Sequence, residues 1–66
     1  MEVDPAKLRD LRQERAYSLR ELAERSGLRE NTIWRIEAGR RKNSHPKTVR
    51  KLAQALGVEP SELVRR

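Results

Sequence analysis

An all-α fold is what this chain of 66 residues predicts, and three observations carry it. Apolar residues recur at helical spacing, most clearly at Val49, Leu52, Ala53 and Leu56, which follow i, i+3, i+4, i+7. Each proline opens such a segment behind a polar residue, at Asp4-Pro5, His45-Pro46 and Glu59-Pro60. Proline suits a first helical position because its missing N–H would be unpaired there in any case. The glycines Gly27, Gly39 and Gly57 fall where periodic segments stop, the place where a left-handed residue closes a last turn. No alternating run or hairpin dipeptide signals a strand.

This punctuation predicts five helices in a single domain, 1–66. The first runs from Pro5 to Arg15 with Leu8 and Leu11 inward. The second starts after Ser18, where Ser18-Leu19-Arg20-Glu21 reads as a capping box, and places Leu22 and Ala23 on one face. The third covers Glu30 to Ala38 with Ile33 and Ile36 inward, and the fourth covers Pro46 to Leu56. The fifth is a short turn or two from Pro60, anchored by Leu63.

A chain this short buries only roughly 60% of its unfolded surface and has little room for a cofactor cavity. There is no cysteine, so neither a disulfide nor a thiolate metal site is expected. The lone His45 cannot form a metal site by itself and reads as a helix cap or a phosphate contact. No cofactor, metal or catalytic residue is expected: paired carboxylates, a nucleophile–base set and a phosphate-cradling glycine loop are all missing, which argues against an enzyme. Met1-Glu2-Val3-Asp4 does not begin a signal peptide, and no apolar run approaches the ~20 residues of a membrane span, so no membrane partner is expected.

The net charge of +6 is unevenly placed. Both flanks balance, while residues 29–51 hold Arg29, Arg35, Arg40, Arg41, Lys42, Lys47, Arg50 and Lys51 against Glu30 and Glu37. One-sided charge of this kind is the electrostatic footprint expected for a phosphate backbone; chance clustering or a role in solubility would leave the same charge map.

That middle region follows a short turn, Ser26-Gly27-Leu28-Arg29, between two short helices, the arrangement of a helix-turn-helix; the small Ala23 would let the helices cross closely. At about 100° per residue, Trp34, Asn31 and Arg35 fall opposite Ile33, with Glu30 beside them. Asn can pair with adenine, Arg with guanine, and Glu can accept from cytosine in the major groove. An ordinary polar helix face would carry the same residues. Trp34 either lies along a groove edge or leans back onto the second helix. Lys47 sits in the first turn of a helix, where its charge opposes the dipole; an external phosphate would account for it.

Leu8-Arg9-Asp10-Leu11-Arg12, Ser18-Leu19-Arg20-Glu21-Leu22-Ala23, Gly27-Leu28, Thr32-Ile33-Trp34-Arg35-Ile36-Glu37-Ala38-Gly39 and Leu52-Ala53-Gln54-Ala55-Leu56-Gly57-Val58 together resemble the Xre/Cro-type helix-turn-helix of phage and bacterial repressors. The resemblance implies a compact, lambda-repressor-like five-helix bundle, cytoplasmic and encoded by a bacterium or a phage. It also implies a double-stranded DNA operator read by the third helix of a homodimer. Glu30, Asn31 and Arg35 occupy its base-reading places, and Trp34 is counted with them as a base-reading candidate; Thr32, Arg40, Arg41 and Lys42 occupy phosphate-contacting ones, to which Ser18, Arg29, Asn43 and Lys47 are added. Arg12 and Glu37 match a pair that ties the first helix to the third. Leu19 departs from a frequent glutamine, and Glu30 stands where neutral or basic residues are common.

The surface left for self-association is Val58, Glu59, Ser61, Val64 and Arg65, small enough that a dimer would be weak in solution and assisted by DNA. The alternative is a protein-interaction module on the same fold, such as an antitoxin bound to its toxin or a domain excised from a larger regulator. Val58, Leu63 and Val64 would supply its apolar patch.

Overall fold

The computed structural model describes residues 1–65. Four α-helices follow in order: α1 (Pro5–Glu14), α2 (Leu19–Ser26), α3 (Glu30–Glu37) and α4 (Pro46–Leu56), with a single 3-10 turn at Pro60–Glu62. The expected fifth helix is therefore only that turn. Its span is limited by Pro60 in front and by Leu63 behind, which leaves the turn to enter the core fully buried. The Glu62 carboxylate accepts the Glu59 N–H at 2.9 Å and closes the turn on itself.

Side-chain caps mark the starts of α1, α2 and α4, whereas α3 begins behind Arg29 with no side-chain cap. Asp4 accepts from the N–H groups of Ala6 and Lys7 ahead of α1, and His45 Nδ1 accepts the Lys47 N–H at 3.1 Å ahead of α4. Ser18 Oγ accepts the Glu21 N–H at 3.0 Å, but the reciprocal half of the expected capping box is not made. The Glu21 carboxylate turns instead to Arg25, one helical turn away at 3.4 Å. α1 ends at Glu14 and α3 at Glu37, each one residue short of the expected limit.

The core joins Leu8, Leu22, Ala23, Ile33, Ile36, Val49, Leu52, Ala53, Leu56 and Leu63, and Leu11, Tyr17, Leu19 and Leu28 pack at its edge. Val3 is a core residue that helical periodicity could not flag. It forms an antiparallel bridge with Val64, flanked by Asp4 N–H to Leu63 C=O and Arg65 N–H to Glu2 C=O, both at 2.8 Å. The absence of any strand signal misses this pairing because one residue from each side is too short to alternate. Among the described residues no helix is long and apolar enough to cross a membrane.

Candidate nucleic-acid interface

The corner between α2 and α3 is built by its own sequence. Gly27 adopts φ +74°, and its N–H closes α2 onto the Ala23 carbonyl at 2.9 Å. Ser26 is buried and bonds on both sides of the corner, donating to the Ala23 carbonyl and accepting the Leu28 N–H, each at 3.3 Å. Ala23, the small residue of the α2 inner face, is buried in the core.

Beyond the corner, Ile33 and Ile36 anchor α3 with no exposed surface, which turns Glu30, Asn31, Trp34 and Arg35 to solvent. The eight residues of α3 rise about 12 Å, a little over two turns, and the roughly 10–12 Å diameter of an α-helix matches the width of a major groove. Glu30 lies in the first turn, where a carboxylate favours the helix dipole, so its place has a structural cause as well. Thr32 is half-buried on the flank.

Cations bracket this face. Arg29 precedes α3 and is exposed, as are Arg40, Lys42, Asn43 and Lys47, while Arg41 is half-buried. Ser18 is exposed, with its oxygen already engaged by the α2 cap. Leu19, the departure from glutamine, packs against the core edge instead of facing outward.

The basic loop is fixed at both ends. After Gly39, at φ +74°, the N–H groups of Arg40 and Arg41 return to the Arg35 carbonyl at 2.9 and 3.3 Å. At the far end, buried Ser44 receives and gives a backbone bond with Met1: Ser44 N–H to Met1 C=O at 2.7 Å, and the Met1 amino group to Ser44 C=O at 2.9 Å.

Arg12 and Glu37 orient α3 from behind. Arg12 Nε and Nη2 donate to the two Glu37 carboxylate oxygens at 2.7 and 2.8 Å, a bidentate pair, and Nη1 donates to the Tyr17 carbonyl at 2.9 Å. The hydrogen bond to Glu37 raises the Arg12 pKa above its ordinary value, against the opposing effect of burial.

Two arrangements escape the sequence reading. Arg9 joins the Glu37 cluster, its Nε 3.7 Å from the carboxylate and its Nη2 donating to the Glu37 carbonyl at 3.1 Å. Its signal was available, since Arg9 lies one turn before Arg12 on α1. The second is Arg40, whose guanidinium lies over the Trp34 ring at 5.5 Å from the centroid.

In the C-terminal segment, Glu59, Ser61 and Arg65 are exposed, but Val58 and Val64 are half-buried and pack against the core. Arg65 is engaged with Glu2 at 3.4 Å and Asp4 at 3.8 Å. The structure therefore does not present Val64 as a free surface residue, and Leu63 is wholly core.

A family model described as helix-turn-helix matches residues 8–63. The transcriptional repressor RghR of Bacillus subtilis is 43% identical over 58 residues, covering 88% of this chain and 43% of RghR, so the chain spans less than half of that relative. The restriction-modification controller protein C.AhdI from Aeromonas hydrophila superposes with a TM-score of 0.83 at 38% identity, covering 88% of this chain and 86% of that one. The N-terminal DNA-binding domain of SinR from Bacillus subtilis gives 0.88 at 27% identity over 94% of this chain and 90% of its own. SinR has also been solved in complex with DNA, with a TM-score of 0.86 over 89% of this chain and 97% of that one. With the match running from α1 through the final 3-10 turn, the chain belongs to the helix-turn-helix family of Xre type.

Proposed function

We propose that this chain is a sequence-specific, double-stranded-DNA-binding transcriptional repressor of the cytoplasm. It would act by binding rather than catalysis, as one domain over 1–66. In this reading α3 enters the major groove, with Glu30, Asn31 and Arg35 reading base edges. Arg29, Thr32, Arg40, Arg41, Lys42, Asn43 and Lys47 hold phosphates, with Ser18 at the start of α2 beside them. The observation that carries the reading is the outward face of α3: amide, carboxylate and guanidinium groups exposed over a fully buried isoleucine pair, with an unbalanced run of cations, Arg40, Arg41, Lys42 and Lys47, following the helix. The roles of its relatives as repressor, controller protein and DNA-bound regulator support it. Coverage of only 43% of RghR favours a second possibility for the whole protein, that this domain serves as the DNA-binding part of a longer regulator.

The test is selection of bound duplexes from a random pool, followed by titration of the selected site at several salt concentrations. If about four phosphates per subunit are neutralised, two copies give a log–log slope on the order of −7. Arg41→Ala flattens that slope by about one unit for each bound subunit and weakens all sequences alike. No enrichment, or a slope near zero, sinks the proposal.

A further inference from the structure

The Gly39 corner brings the first cation of the basic loop back over the outward face of α3. The Arg40 N–H is tied to the Arg35 carbonyl at 2.9 Å, and its side chain returns over Trp34 with the guanidinium carbon 5.5 Å from the ring centroid. That is within the reach at which an indole face attracts a cation. No carboxylate competes for it, since among the described residues Arg40 forms no ion pair. Trp34 itself remains 45% exposed, so core packing does not explain an indole at this position.

From this geometry we infer that Trp34 is a positioning residue for Arg40. It holds the guanidinium ready for a DNA phosphate beside the groove and does not itself read a base. The inference rests on the DNA-binding reading above. A long side chain loses rotamer freedom when it binds, and one already held against a ring loses less. The contact uses the indole face and none of the guanidinium hydrogen bonds, so its planar N–H fork remains available for two phosphate oxygens, a fit that a lysine lacks. The same contact explains why a large aromatic stands half-exposed among cations.

The experiment titrates mixed-sequence duplex DNA, for which phosphate contacts supply essentially all the affinity. It compares wild type, Trp34→Ala, Trp34→Phe, Arg40→Ala and the double variant, with melts to establish that each is folded. Trp34→Ala should weaken binding about two- to fivefold per subunit, the size of an exposed cation–π contact, and Trp34→Phe should recover most of it. Arg40→Ala should lower the salt slope by about one per subunit. In the Arg40→Ala background, Trp34→Ala should have no further effect. Without DNA, Arg40→Ala should shift the emission of Trp34, the chain's single tryptophan. A Trp34→Ala loss that persists undiminished without Arg40, no loss at all, or an unchanged emission would overturn the positioning role. Wild-type protein that shows no salt-dependent duplex binding would overturn the DNA-binding reading itself.

Discussion

Arg12 is held at three points by the fold, and Glu37 is the partner that makes its burial tolerable. The side chains are 14% and 6% exposed, so removing one charge strands the other in a poorly solvated place. Breaking such a pair typically costs ~3–5 kcal/mol, against under ~1 kcal/mol for a solvated surface pair. Retention of the Arg9 and Tyr17 contacts argues for the lower end, so Glu37→Gln should cost about 3 kcal/mol and lower Tm by roughly 15 °C in a domain of this size. Glu14→Gln, which removes an exposed partner of Arg15, serves as the control with no measurable change. Equal melts for the two variants would mean that Glu37 is a surface carboxylate in effect. The raised Arg12 pKa confers stability that is fully present below the ordinary guanidinium value and lost only above it. It therefore adds no pH dependence near neutrality. Glu37 was legible in the sequence because it falls at the edge of the core face of α3. Val3 was not, because a lone valine before a proline has no period to reveal it.

Element boundaries were readable wherever proline or glycine marked them, as at both ends of α4 and at the Gly27 corner. The turn between α1 and α2 carries no such mark. There Ala16 takes φ 55°, a left-handed conformation that costs an L-residue roughly 1–2 kcal/mol. Its N–H is nonetheless satisfied by the Gln13 carbonyl at 2.9 Å, so the turn is held by its bonds rather than by propensity. Ala16→Gly removes the strain but adds freedom to the unfolded chain, an offset of about 0.4–1 kcal/mol. The strain is the larger quantity, and the variant should be more stable by about 0.5 kcal/mol. Gly27→Ala tests the converse. A Cβ there meets nothing within 4 Å, so only backbone strain and not a clash opposes it, and its melt should fall by several degrees. A lower melt for Ala16→Gly would show that the turn relaxes its strain in solution. The final segment meets the expected turn anchored by Leu63 but does not extend to a fifth helix: a proline start favours a helix, and its length is set by where Leu63 must enter the core.

At the scale of the whole molecule, size sets the stoichiometry of DNA binding. The longest extent is 26 Å, whereas half-sites one helical turn apart are separated by about 34 Å. One copy can therefore cover one half-site, and a pseudo-palindromic operator would need two. The sequence marked the C-terminal segment as the meeting surface, but folding spends part of it internally: Val64 bridges to Val3, and Arg65 engages Glu2 and Asp4. A charge at Val64 would thus disturb the fold along with any interface, and Ser61, exposed at the middle of the 3-10 turn, is the cleaner probe. The remaining exposed surface is small and polar, well short of a permanent interface, so association should depend on DNA to hold two copies side by side. Sedimentation without DNA should show mostly monomer at micromolar concentration, and a duplex with two half-sites should take up two copies cooperatively. Ser61→Arg should melt as wild type does and bind a single half-site normally, yet lose the cooperativity. Independent filling of the half-sites by wild type, or cooperativity untouched by Ser61→Arg, would place the contact between copies elsewhere on the molecule.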